Sequence, residues 1–114
     1  MDAMEVGPTA AVRIQSLFRG VNERIRELSQ IERPEFLCEC VDGLCAESIV
    51  VPVEEYDRVR LVPTHFIVRT GHVAADLERV VATSDAFTVV EKYGIAGTTA
   101  VELDPRRRSL PTPP

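Results

Sequence analysis

Residues 36–45 read FLCECVDGLC and contain all three cysteines of the 114-residue chain, Cys38, Cys40 and Cys45. The segments on either side of the turn, EFLCEC and CAESIVVPV, are short and rich in apolar and β-branched residues. An Asp-Gly pair between two such segments is typical of a tight turn. The stretch therefore predicts a β-hairpin whose loop lies between the second and the third cysteine.

The predicted hairpin places the three sulfur atoms on one face. Residues two apart in a strand face the same side of a sheet, so Cys38 and Cys40 point together. If VDGL forms a four-residue loop, Cys40 lies opposite Cys45 and Cys38 lies opposite Glu47. Opposed residues have Cβ atoms about 4.5–5.5 Å apart. Sulfur ligands of a tetrahedral zinc ion lie just under about 4 Å from one another, so the hairpin can form part of a zinc site.

A closed structural zinc site takes four ligands, so the hairpin requires one further donor. His72 is the first candidate, because it follows Gly71 at the end of a predicted strand and a loop residue there can turn toward the hairpin. His65 is the second candidate. Glu47 is the third, since it shares the face of the cysteines.

Three other interpretations of the cysteines stay open. Cysteine is among the most buried residue types and also packs as a small apolar side chain. A reversible disulfide between Cys40 and Cys45 would suit a thiol-based redox sensor. A cysteine nucleophile with His65 or His72 as its base would make the chain a cysteine-dependent enzyme, although nothing in the spacing favours this.

Upstream of the hairpin, apolar residues recur three and four positions apart, which predicts an amphipathic α-helix that begins near residue 10 with Thr9 as its N-cap. We expect this apolar stripe to pack on a sheet and the opposite, charged face to contact solvent. Binding of the stripe in a groove of a partner is the less expected alternative. Gly20 interrupts the helix at a cost of about 1 kcal/mol relative to Ala, so another part of the structure or a partner can approach there. The stripe consists of Ile14, Leu17, Phe18, Val21, Ile25 and Leu28.

Downstream of the hairpin, VEEYDRVRL predicts a short helix, HFIVRT a strand, VAADLE a helical turn, and RVVAT with AFTVVEKY a second hairpin. These elements predict an α+β fold in which an N-terminal amphipathic helix packs on a small antiparallel or mixed sheet built from two hairpins and a short helix. We expect a loose leader at residues 1–9, a single domain at 10–103 and a disordered Arg/Pro-rich tail at 104–114.

Composition narrows the class of function. A formal net charge of −5 argues against general nucleic-acid binding, which needs excess basic residues. No apolar run reaches the length of about 20 residues that a membrane span requires, and the acidic N-terminus is unlike a signal peptide. We therefore expect a cytoplasmic protein with reduced thiols. The common phosphate-binding, dinucleotide-binding and hydrolase motifs are missing from the sequence, so an enzyme is less expected than a binding module.

Several segments together resemble a group of small, uncharacterised actinobacterial proteins. They are SLFRGVNERIREL, FLCEC with the later Cys, EEYDRVR, PTHFIV, the Gly-His pair at residues 71–72, and VVEKYG followed by DPR, and they extend from about Ala10 to Arg106. The resemblance implies that the three cysteines and His72 recur together, which favours His72 over His65 as the fourth ligand. It implies no activity. This chain departs from the group by lacking a Pro before the third cysteine, by Gly20 and by the RRRSLPTPP extension.

From these observations we expect a small cytoplasmic domain that holds a structural zinc ion through Cys38, Cys40, Cys45 and His72. We expect it to act as a protein-interaction or regulatory module with an unknown protein partner, and not at a membrane.

Overall fold

In a computed structural model, which describes residues 7–106, the chain forms an α+β fold of three helices and five strands. The elements are α1 (Pro8–Leu28), β1 (Glu35–Leu37), β2 (Ser48–Val50), α2 (Val53–Arg60), β3 (His65–Val68), β4 (Glu78–Thr83), β5 (Thr88–Lys92) and α3 (Gly94–Glu102). The predicted fold class is confirmed. Most of the predicted leader, residues 1–6, and most of the predicted tail, residues 107–114, lie outside the described residues.

The helix α1 begins two residues earlier than predicted, with Gly7 and not Thr9 at the N-cap. Pro8 occupies the first turn, where a missing N–H costs nothing and the fixed φ of proline suits a helix. The helix ends at Leu28, and the N–H of Ser29 donates to the Ile25 carbonyl at 2.9 Å.

The face that α1 buries is turned by about 120° around the helix axis from the predicted one. Leu17 and Leu28 are each 68% exposed and Val21 is 42% exposed, while the other three members of the predicted stripe are only half-buried. The prediction that all six residues of the stripe pack inward is therefore wrong, although Ile25 contacts the core. The residues that α1 buries are Ala11, Val12, Gln15, Arg19 and Asn22.

Polar residues occupy the buried face of α1 because they bond backbone groups left unpaired by the short strands, the loops and the last turn of α3. Arg19 donates to the carbonyls of Pro63 at 2.8 Å and of Ala100 at 2.9 Å, and its guanidinium lies 4.3 Å from the centre of the Phe66 ring. Buried carbonyls without a partner are costly. The long side chain of Arg19 thus joins α1 to α3 and to the segment before β3.

The strands form two antiparallel sheets. β1 pairs with β2, and the other sheet has the order β3-β5-β4 with a bulge in β4 between Val80 and Ala82. Both predicted hairpins are present, although β1 and β2 are shorter than predicted. The N–H of Glu39, just past β1, donates to the carbonyl of Ile67 in β3 at 2.8 Å and so links the two sheets.

The helix α3 was not predicted, since GIAGTTAVE combines glycine and β-branched residues that have low helix propensity. Packing against α1 and β5 overrides that propensity. A Cβ at Gly97 would lie 3.0 Å from the Lys92 carbonyl oxygen, so glycine permits this close approach.

The apolar core lies between the helices and the two sheets and includes stacked rings of Phe36 and Tyr56, 4.3 Å apart. Buried ion pairs also cross it, between Lys92 and Glu78 and between Arg60 and Asp104. Asp104 lies in the predicted tail, and the first residues of that segment, 104–106, are therefore held against the domain in the structure. Among residues 7–106, none of the helices has the length and apolar character needed to cross a membrane.

Candidate metal centre

Four potential ligands converge where the ends of the two sheets meet. Cys38 and Cys40 follow β1, Cys45 precedes β2 and His72 follows β3. One ligand atom from each residue lies within 4.8 Å of the ligand atoms of the other three. Such a group could hold a metal ion.

The hairpin register explains how the cysteines meet. Phe36 pairs with Ile49, and the N–H of Cys38 donates to the carbonyl of Glu47 at 3.1 Å. Extending this register places Cys40 opposite Cys45, as the sequence predicts. The cysteines nevertheless lie outside the regular strands, in the connecting loop.

Two turns direct the remaining ligands inward. The side chain of Asp42 accepts the N–H of Leu44 at 2.9 Å and its carbonyl accepts the N–H of Cys45 at 3.0 Å, which returns the chain toward Cys40. After β3, Gly71 adopts a φ of +89°, a conformation that glycine enters without steric cost. The N–H of His72 then donates to the Arg69 carbonyl at 3.0 Å.

Two of the interatomic distances fit tetrahedral coordination. Zinc–sulfur bonds of about 2.3 Å and zinc–nitrogen bonds of about 2.05 Å at tetrahedral angles imply a sulfur–nitrogen separation of about 3.6 Å. The Nδ1 atom of His72 lies 3.4 Å from the sulfur of Cys38 and 3.7 Å from the sulfur of Cys45. Both separations are close to that value.

The environment favours protonated thiols when no cation is near. Cys38 and Cys40 are buried, and burial raises the pKa of both thiols. The backbone N–H of Arg69, 3.2 Å from the Cys38 sulfur, opposes this effect and lowers the pKa of Cys38. A bound divalent cation would offset the cost of deprotonating these buried thiols, because metal ligation requires the thiolate form.

A buried carboxyl group anchors the two neighbouring cysteines. Glu39 lies between them in sequence and its side chain points away from the sulfur atoms into the core, where it accepts from Asn22 Nδ2 at 2.8 Å and from the N–H of Ile67 at 3.0 Å. Gln15 donates to the Glu39 carbonyl at 3.0 Å. Burial raises the pKa of the Glu39 carboxyl group, and the hydrogen bonds from Asn22 and Ile67 oppose the shift.

Asn22 completes this support by bonding to β1 as a neighbouring strand would. Its amide accepts the N–H of Leu37 at 2.7 Å and donates to the Leu37 carbonyl at 2.9 Å. The sequence predictions did not include Gln15, Asn22 or Glu39 in the site. The sequence feature that could have identified Gln15 and Asn22 is the spacing of polar residues along α1. Gln15, Arg19 and Asn22 recur four and three positions apart and so lie on one face of the helix.

The two alternative fourth ligands lie outside the group. His65 contacts Glu91 on β5, with 3.3 Å between Nε2 and the carboxylate. Glu47 is exposed and its carboxylate lies 3.5 Å from the guanidinium of Arg69. Of the three candidates, the structure brings only His72 to the cysteines.

Comparison of the chain with models of protein families, with curated proteins and with solved structures finds no match. The case for a metal centre therefore rests on the geometry of these residues. The resemblance to small actinobacterial proteins stays a prediction.

Proposed function

We propose that the chain is a small cytoplasmic domain in which Cys38, Cys40, Cys45 and His72 hold a structural zinc ion, and that it acts as a protein-interaction or regulatory module. The observation that carries the proposal is the convergence of three thiols and an imidazole within 4.8 Å. Thiolate and imidazole donors favour zinc among the common divalent ions.

The donor count supports a structural ion. Four protein ligands would fill the tetrahedron and leave no position for substrate, whereas catalytic zinc sites keep one position open. The ligands come from the β1–β2 connection and from the turn after β3, so an ion there would cross-link the two sheets. Burial that raises the pKa of Cys38 and Cys40 also disfavours the free thiolate that a redox sensor or a nucleophile needs.

An exposed apolar side chain at the tip of the site supports an interaction role. Leu44, between the second and third cysteines, is 93% exposed. Two hydrogen-bonded turns and the metal would fix the loop that carries it. A rigid loop presenting an apolar side chain loses little conformational entropy when it binds a partner.

The test is the metal content of untagged protein purified without chelator. We expect about one zinc ion per chain. His72→Ala should lower both metal content and thermal stability, because metal binding contributes to folding. His72→Cys should retain the ion, since it leaves four donors of suitable type.

The matched control is His65→Ala, which removes the other histidine of the chain and should leave metal content near that of the unsubstituted protein. Unsubstituted protein without stoichiometric metal would refute the proposal. If its thiols also reacted rapidly at neutral pH, a redox or nucleophilic role for the Cys45–His72 contact would replace it.

A further inference from the structure

The outward side of α1 carries apolar side chains that the rest of residues 7–106 leaves exposed over much of their surface. Leu17, Val21 and Leu28 are exposed there, while the side chains that α1 buries are mostly polar. An exposed apolar strip on a long helix is typical of an interaction surface. Within this fold the strip contributes little to the core, so its apolar character requires another explanation.

One flank of the strip has a charge pattern that is complementary to itself. Arg13, Gly20 and Glu27 recur at intervals of seven residues, which places them in line along one side of the helix. Arg13 and Glu27 are exposed and equally distant from Gly20 along the chain. A Cβ built at Gly20 would meet no atom within 4 Å, so the side of the helix at this point is open.

This arrangement of charges favours one way of pairing two copies of α1. If a second α1 packs antiparallel across a two-fold axis near Gly20, Arg13 of each copy lies opposite Glu27 of the other. Because of the two-fold symmetry, the ion pair between Arg13 and Glu27 forms twice in the dimer. Gly20 then faces Gly20 and permits close approach of the helices, with Leu17, Val21 and Leu28 covered on the adjoining side. A parallel pair would not bring these two charges together.

We propose that α1 is a self-association surface, through which two copies of this chain pair by antiparallel packing of their helices. The inference does not depend on the metal centre. Glu27 contacts Arg24 of its own helix at 3.1 Å, but both side chains are largely exposed and such a pair contributes little. A helix of 21 residues is about 31 Å long. Contact through one such helix from each copy would be small, so we expect weak association.

The test is analytical ultracentrifugation of metal-replete protein over about 1 µM to about 1 mM, the range of dissociation constants for a small interface. Unsubstituted protein should shift from monomer to dimer. Arg13→Glu alone and Glu27→Arg alone should each weaken association at least about tenfold, because each places like charges opposite one another twice. Both positions are exposed, so the variants should keep the unsubstituted melting temperature at low concentration.

A mixture of the two single variants provides the decisive arm. Arg13→Glu protein and Glu27→Arg protein should form a heterodimer when mixed, since every opposed pair is again of opposite charge. The variant that carries both substitutions in one chain should recover self-association to within about threefold. Leu17→Gln with Leu28→Gln should give a monomer. Unsubstituted protein that stays monomeric throughout would overturn the proposal and leave the strip to a different partner. A dimer that is indifferent to the charge exchange would also overturn it.

Discussion

Replacing Asn22 with Ala tests the central feature of the fold, a helix that buries its polar face. Asn22 is fully buried and makes three hydrogen bonds, two with the backbone of Leu37 and one with the Glu39 carboxylate. Losing a buried bond costs about 1 kcal/mol when both groups are neutral and about 2 kcal/mol when one is charged. We therefore expect Asn22→Ala to destabilise the protein by about 4 kcal/mol, a large fraction of the stability of a domain this size.

The assay is equilibrium unfolding in urea at a protein concentration low enough to keep the chain monomeric. With a slope of about 2 kcal/mol per molar urea, the midpoint should fall by about 2 M. Leu17→Ala is the matched control, because Leu17 is an exposed residue of the same helix, and it should change stability by less than about 0.5 kcal/mol. A loss below about 1 kcal/mol for Asn22→Ala, together with more than about 2 kcal/mol for Leu17→Ala, would show that the apolar face covers the core after all.

Three further predictions concern Asp57, Asp104 and the C-terminal segment 107–114. Arg26 and Arg106 lower the pKa of Asp57 below its ordinary value of 3.8 in the folded state. The contribution of Asp57 to stability is therefore complete above about pH 4 and is lost as the pH falls through the lower folded pKa. The difference in free energy of unfolding between unsubstituted protein and Asp57→Asn, measured as a function of pH, should vanish in strong acid. Asp104→Ala leaves the buried Arg60 with Glu23 as its remaining acidic partner and should cost about 1.5–3 kcal/mol, the contribution of a hydrogen bond between charged groups. Removing residues 107–114 should leave the melting temperature almost unchanged; a drop of several degrees would show that this segment stabilises the domain.

Local patterns in the sequence were sufficient to predict the hairpin and the candidate ligands. The turn at Asp42 fixes the register of β1 and β2, and the register alone places Cys38, Cys40 and Cys45 near one another. His72 was harder, because its approach depends on how β3 meets the other sheet. Only the glycine before it, which allows the left-handed turn, was visible in the sequence.

The orientation of α1 could not be predicted from its hydrophobic period. That period identifies an apolar face, but it does not say whether the chain itself or another molecule covers that face. The buried face follows instead from long-range hydrogen bonds, such as those of Arg19 to Pro63 and Ala100, that exist only when the whole fold is assembled. α3 was not predicted for a related reason, since its stability comes from packing against other elements and not from the helix propensity of its residues.

The buried polar side chains and the exposed apolar side chains of α1 each need a physical explanation. Burying Arg19 is costly, because desolvation lowers the pKa of its guanidinium and so opposes its charge. The cost is offset because short strands and connecting loops leave carbonyls that need donors, and apolar side chains cannot supply them. By the same reasoning, the outward face could have been charged at no loss to the core. Leu17 and Leu28 instead expose large apolar side chains to water, which contributes nothing to the stability of the monomer. The polar inner face is thus explained by the fold and the cysteine loop that it holds, whereas the apolar outer face requires a surface to cover it.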